Sequence, residues 1–247
     1  MLNEILGMVG LKLVRAKREG LPVEASEQEK RILASVARFS MTTPQRLWAL
    51  ISAVKYIVQS GVAGDFVECG VWRGGSVMAM AMQLQLLGGA DQNIWLYDTF
   101  DGMTDPTEND VEALTGAAAK TLLEKQRKDR QDSVWCAVGI EEVRRNVFST
   151  GYPSEQFRFV EGDVSETVKL MAPEKISLLR LDTDWYESTR DELEVLYPRL
   201  QKGGVCILDD YGYWQGARRA VDEYFDSLGF KPLMHVIDFA GRVLIKT

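Results

Sequence analysis

The chain has 247 residues, 46% of them hydrophobic and 26% charged, and a net charge of −7. That size accommodates one α/β domain with helical additions and a large core. The acidic balance disfavours nucleic acid as a partner, and no apolar run nears the roughly 20 residues that a membrane span needs.

The first 40 residues read as a helical N-terminal extension and residues 41–247 as the main domain. At the start, M-L-N-E-I-L-G-M-V-G-L-K-L-V-R-A-K-R places Glu4 before the apolar part and basic residues after it, the wrong order for a secretory signal. It reads as an amphipathic helix packed on a partner, with a helix lying on a membrane surface as the alternative. Ser26 to Ala37 forms a second helix, and Thr43-Pro44 opens a long one as N-cap and first helical residue, closed by Gly61 and Gly64. From Asp65 strands and helices alternate. Phe66–Glu68, Ile94–Tyr97 and Phe157–Val160 are strands, and Ser76–Leu87 and Ile140–Phe148 are helices. Thr104 to Asp132 is acidic, then helical, then charged, and reads as an insertion or lid extending over about 104–138. Ile176–Leu181 and Gly204–Leu208 are near-continuous apolar runs, as in strands buried on both faces. A helix from about Ala217 to Leu228 follows, then a hairpin of Leu233–Ile237 with Arg242–Ile245. Repeated βα units predict a doubly wound sheet of seven strands, mostly parallel, with one antiparallel strand near an edge.

Cys69, Cys136 and Cys206 are odd in number and far apart, which points to neither a disulfide set nor a zinc site and fits a reduced, cytoplasmic setting. The single histidine, His235, lies in the late hairpin and reads as structural.

V-E-C-G-V-W-R-G-G-S, Val67 to Ser76, is strand, acid, glycines, then helix. Glycines let a ligand approach the backbone, and the helix start offers free N–H groups. The bulky Val71, Trp72 and Arg73 in mid-loop set it apart from a dinucleotide loop. Glu68 suits a ligand carrying a sulfonium and an ammonium group. Asp98, ending the second strand, is placed to accept ribose hydroxyls, and Asp163, after the third, to reach an adenine amino group. The two late strands end on Asp182-Thr183-Asp184 and on Asp209-Asp210. Parallel pairing would gather Asp182, Asp209 and Asp210, whose mutual repulsion calls for a cation between them. An all-oxygen set suits Mg²⁺, Mn²⁺ or Ca²⁺. Asp184, two residues after Asp182 and on the same side of an extended chain, is placed as general base on a hydroxyl. Its bland alternative is a cap on the helix beginning near Tyr186.

V-E-C-G-V-W-R-G-G-S, W-L-Y-D-T-F-D-G-M, L-L-R-L-D-T-D-W-Y-E-S-T and G-G-V-C-I-L-D-D-Y together resemble the macrocin O-methyltransferase (TylF/MycF) family, over a stretch running from about Met41 to the C-terminus. The resemblance implies a Rossmann-like class I methyltransferase fold, S-adenosylmethionine as donor, Mg²⁺ (or Mn²⁺), a homodimer, and a glycosylated or polyol natural product as small-molecule acceptor. Carried over by motif, it implies donor contacts at Thr42, Glu68, Gly70, Arg73, Ser76, Asp98, Thr99, Asp163 and Asp182. It also implies metal ligands at Asp182, Asp209 and Asp210, and catalysis by Asp184 with Asp182. Residues 105–138 depart from the family pattern and are read as acceptor-selecting. Trp135, Tyr186 and Tyr211, with Tyr213 and Trp214, are candidates for the acceptor wall. A nucleotide-dependent sugar-modifying enzyme and a non-catalytic binding module on the same fold are the rival readings.

Overall fold

The computed structural model describes residues 21–89, 91–126 and 137–247. Trp135 and Cys136, and the first half of the N-terminal extension, lie outside the described residues. The second half is helix α1 (Glu27–Val36), started by a reciprocal cap: Ser26 Oγ accepts from the Glu29 amide and Glu29 accepts from the Ser26 amide. Helix α2 (Pro44–Ser60) begins as its sequence requires, with the Thr43 hydroxyl accepting from the Arg46 amide and Pro44 at the first position, and it ends on left-handed Gly61.

The alternating units then follow as β1 (Asp65–Cys69), α3 (Gly75–Leu86), β2 (Ile94–Asp98), α4 (Ala119–Gln126), α5 (Ile140–Phe148), β3 (Phe157–Glu161), α6 (Val164–Leu170), β4 (Ile176–Leu181), α7 (Tyr186–Leu196), β5 (Leu200–Leu208), α8 (Gln215–Ser227), β6 (His235–Val236) and β7 (Arg242–Ile245). They build one seven-stranded sheet in the order β3-β2-β1-β4-β5-β7-β6. The first five strands pair in parallel, and β7 runs antiparallel to both β5 and β6. The closing hairpin is therefore present, with β6 reduced to two residues and His235 exposed on it. Helix α6 has no counterpart among the predicted elements. It is short, and Asp163, read as a ligand contact, is its N-cap and accepts from the Ser165 amide at 2.9 Å.

Side chains alternate across the sheet, so each strand feeds two cores. Phe66, Ile94, Leu96, Leu178, Val205 and Ile207 face α1, α2, α3 and α5. Val67, Cys69, Leu179, Leu181, Cys206 and Leu208 face α6, α7 and α8. Cys69 and Cys206 are free and fully buried, as small core residues. The strand order reverses between β1 and β4, and at their carboxyl ends the two chains nearly touch. Gly70 (φ +81°) follows β1, and a Cβ there would lie 1.9 Å from the Asp182 carbonyl oxygen. Gly70→Ala is therefore expected to strain both the loop and the end of β4, at a cost of about 1–3 kcal/mol. Thermal unfolding checks this; an unchanged midpoint would show that the two strand ends separate freely.

Candidate active site at the β1–β4 switch point

A cavity of about 420 Å³ opens at this reversal, where open α/β sheets bind ligands. One wall is the glycine loop and the start of α3, with Glu68, Gly70, Ser76, Asp98 and Thr99. The opposite wall carries Asp182, Asp184, Asp209 and Asp210. Thr42 and Asp163 stand at its margins. The two halves separated in sequence thus share a single cavity.

Its floor holds a residue that the motifs did not single out. Arg180 is 2% exposed, one residue from the carboxyl end of β4. Register sets it beside Glu68 on β1 and beside Ile207 on β5. Asp182 and Asp209, each two residues on, point to the same side of the sheet. The guanidinium pairs with Glu68 Oε1, lies 2.8 Å from Asp182 Oδ2, and lies 2.9 Å from Asp209 Oδ1. A second arginine, Arg46 from the first turn of α2, pairs with the other oxygen of Asp209. The cation demanded by three clustered carboxylates is therefore supplied in part by the protein itself. The signal was present in the sequence: a lone arginine inside I-S-L-L-R-L must be buried, and a buried charge needs partners.

The donor-loop acids have structural duties as well. Asp98 Oδ2 accepts from the Val71 and Trp72 amides at 2.6 and 3.1 Å, and Oδ1 accepts from Phe100 at 2.8 Å, so this carboxylate also shapes the loop. Burial pushes Glu68 up to about 7, with Arg180 pulling the other way. Its Oε2 is buried and accepts no hydrogen bond. An orphaned carboxylate oxygen on a residue that lines the cavity fits a cationic ligand group.

Asp184 departs from the expected geometry. It is not extended but left-handed, with φ +67°. This kink, rather than strand alternation, turns its carboxylate into the cavity, where Oδ1 accepts from Trp214 Nε1 at 2.7 Å. A non-glycine residue held there costs about 1–3 kcal/mol unless its surroundings over-determine it. Here Asp210 Oδ2 accepts from the Asp184 amide at 3.2 Å, and Thr183 Oγ1 is held by Ser188 and by buried Glu192, each at 2.9 Å. Asp184 also precedes α7 without capping it; the Tyr186 amide donates instead to Asp110 Oδ1 at 2.8 Å. Burial, then the neighbouring charge of Asp182, raises Asp184 to about 7.

Asp110 belongs to the predicted lid and is fully buried. The lid adds two isolated β-bridges and α4, and packs Ala119 and Leu123 onto Trp185 and Trp214. Those two indoles meet edge to face at 5.1 Å. Trp185, Met103, Thr104 and Tyr213 also line the cavity. Three predicted contacts fall elsewhere. Arg73 is not a lining residue; it pairs with Glu142 at 3.4 Å and stacks on Trp72. Tyr186 donates to Glu223 and Tyr211 to Asp222, both away from the cavity. Helix periodicity turns Tyr186 outward, and the turn after β5 does the same for Tyr211. Adjacent Trp185 and nearby Tyr213 take the inward positions.

The oxygens of Asp182, Asp209 and Asp210 lie within 4.8 Å of one another. Asp209 Oδ1, although close to Arg180, accepts no aligned hydrogen bond. Three carboxylates with one orphaned buried oxygen fit a hard divalent cation.

A sequence profile described as macrocin-O-methyltransferase (TylF) matches residues 12–246. The chain belongs to the macrocin O-methyltransferase family. It is 35% identical over 202 residues to the 8-demethyl-8-(2,3-dimethoxy-alpha-L-rhamnosyl)-tetracenomycin-C 4'-O-methyltransferase of Streptomyces olivaceus, covering 82% of this chain and 73% of that one. It is 37% identical over 180 residues to the demethyldecarbamoylnovobiocin O-methyltransferase of Streptomyces niveus, covering 73% and 65%. Among solved structures it resembles the O-methyltransferase NovP, with TM-score 0.74 and 33% identity over 85% of this chain and 82% of that one. Membership of this family, with its Rossmann-like fold, makes the protein an O-methyltransferase. Among the described residues no helix is long and apolar enough to cross a membrane.

Arg180→Met would leave Glu68, Asp182 and Asp209 without their shared cation. A loss of about 3–5 kcal/mol is expected by chemical denaturation, and a loss below about 1 kcal/mol would deny Arg180 the role of counter-ion.

Proposed function

We propose that the protein moves a methyl group from S-adenosylmethionine to a hydroxyl of a sugar-bearing natural product, with a divalent metal at Asp182, Asp209 and Asp210. The observation that carries this reading is the meeting of the acidic trio and Asp184 with the glycine loop across one cavity. The sugar-bearing acceptor is supported by the relative named for a rhamnosyl-tetracenomycin, and the natural-product class also by the one named for demethyldecarbamoylnovobiocin. S-adenosylmethionine would supply the methyl from its sulfonium, and Mg²⁺ or Mn²⁺ would hold acceptor oxygens and acidify one hydroxyl.

On this reading the chain contributes position and proton transfer. The glycine loop and the start of α3 receive the donor through backbone N–H groups and close approach. Glu68 faces its positive end and Asp98 its ribose. Trp185, Met103 and Tyr213 hold the acceptor and exclude water from the reacting atoms. Asp184 takes the hydroxyl proton as the O–C bond forms and the C–S bond breaks, and the leaving electron pair stays on sulfur. Trp214 holds Asp184 at the required angle. A homodimer belongs to the same reading; Leu233, Val236 and Phe239 beside the sheet edge leave exposed apolar surface that supports it.

Asp184→Asn is expected to lower kcat by about 10²–10⁴ with little change in donor affinity. EDTA is expected to abolish transfer while calorimetry still records donor binding. Full activity of both the variant and the EDTA-treated enzyme would sink the mechanism. The pH profile follows from Asp184. Its carboxyl sits above its ordinary value, so it is protonated and idle below about 7, and turnover falls as pH drops through that point. A nearby cation favours the carboxylate, so the acid limb should move to lower pH as Mg²⁺ is raised. An acid limb that ignores Mg²⁺ would separate Asp184 from the metal.

A further inference from the structure

Arg46 stands at the third position of α2, where a positive charge opposes the helix dipole. Helix formation gives no reason for an arginine there; its surroundings do. Nη1 pairs with Asp209 Oδ2, and Nε lies 3.0 Å from Asp238 Oδ2 in the β6–β7 connection. The same two carboxylate oxygens also bind the residues leading into α2. Thr42 Oγ1 donates to Asp209 Oδ2 at 3.1 Å, and Thr43 Oγ1 donates to Asp238 Oδ2 at 2.7 Å. Asp238 is itself fixed, its Oδ1 accepting from the Ala240 and Gly241 amides at 2.9 and 2.7 Å. Gly241 leaves room for the arginine stem: a Cβ there would lie 2.8 Å from Arg46 Cδ. Arg46 lines the cavity, as do Phe39, Ser40, Met41 and Thr42 just before the helix.

Asp209 is thus claimed from two sides. Arg46 and Thr42 hold Oδ2, and Arg180 faces Oδ1. Asp182 and Asp210 make no ion pair with Arg46 and are the less encumbered members of the trio. We propose that Arg46 is a positioning residue that occupies Asp209 as a resident counter-ion, competes with the divalent metal for that carboxylate, and ties metal binding to the Phe39–Thr43 stretch that walls the cavity. This rests on the metal reading given above. The sign is fixed by charge: a guanidinium beside the trio repels an incoming cation and withholds one oxygen from it. The protein trades metal affinity for an acidic cluster that stays ordered without the ion.

The test is a titration of the full chain with Mn²⁺ alone, free ion being read by electron paramagnetic resonance, for wild type, Arg46→Gln and Arg46→Lys. Arg46→Gln is expected to bind Mn²⁺ about tenfold more tightly than wild type. Arg46→Lys keeps a charge but cannot bridge two carboxylates, and should tighten binding about threefold. Mere structural damage would weaken binding, so tightening separates the two explanations. Equal or weaker binding by Arg46→Gln, with saturable binding by wild type, overturns the role of Arg46 and leaves the metal reading intact. Absence of saturable binding in all three overturns the metal reading and this inference together. If Arg46→Gln does not fold, Arg46→Lys decides: affinity equal to or weaker than wild type overturns the proposal.

Discussion

The site is organised around one buried guanidinium. Arg180 sits where the strand order reverses, with Glu68 on one side and Asp182 and Asp209 on the other. Without it the carboxyl ends of β1, β4 and β5 would bring like charges together in a medium of low dielectric. With it, the donor wall and the acidic wall share a floor. Arg46 adds a second cation from outside the sheet and links that floor to the start of α2. Five carboxyl groups, Glu68, Asp182, Asp184, Asp209 and Asp210, thus face only these two arginines, and burial with mutual repulsion holds several of them above the ordinary carboxyl range.

Rigid scaffold and local strain work together here. The parallel strands fix Asp182 and Asp209 by register, but Asp184 lies one turn beyond, in a conformation that few non-glycine residues adopt. It is retained because Thr183, Ser188 and Glu192 brace it from below and Trp214 holds its carboxylate from the side. Trp214 is in turn locked against Trp185 and against the lid, which bridges to it at Glu112 and packs Ala119 and Leu123 on the pair. The lid segment therefore also bears on the carboxylate proposed as the base.

Much of the fold was legible because periodicity and capping are local. Thr43-Pro44, Gly61, and the apolar runs at Ile176 and Gly204 each announce an element from a few neighbouring residues. The meeting of the acids at strand ends was legible too, because parallel pairing leaves little choice about which edge they reach. Helix α6 was missed because seven residues carry too little period to stand out. The directions of Tyr186 and Tyr211 are not legible in the sequence, because helix phase sets the one and the turn after β5 sets the other. Arg73 was drawn toward the site by its place in the motif, whereas Glu142 on a distant helix draws it away.

Determined by the sequence alone were the alternating architecture, the glycine loop, and the set of carboxylates delivered to one edge of the sheet. Residue type and spacing suffice for these, since strand geometry turns them directly into position. Tertiary structure decided what those carboxylates face. Arg180 reaches Glu68 across 112 residues, and Arg46 reaches Asp209 across 163. Pairings of that span depend on how the sheet closes and on how α2 docks. Electrostatic balance at the site is a property of the assembled layers, because Coulomb attraction acts on distance in space, which chain separation does not reveal.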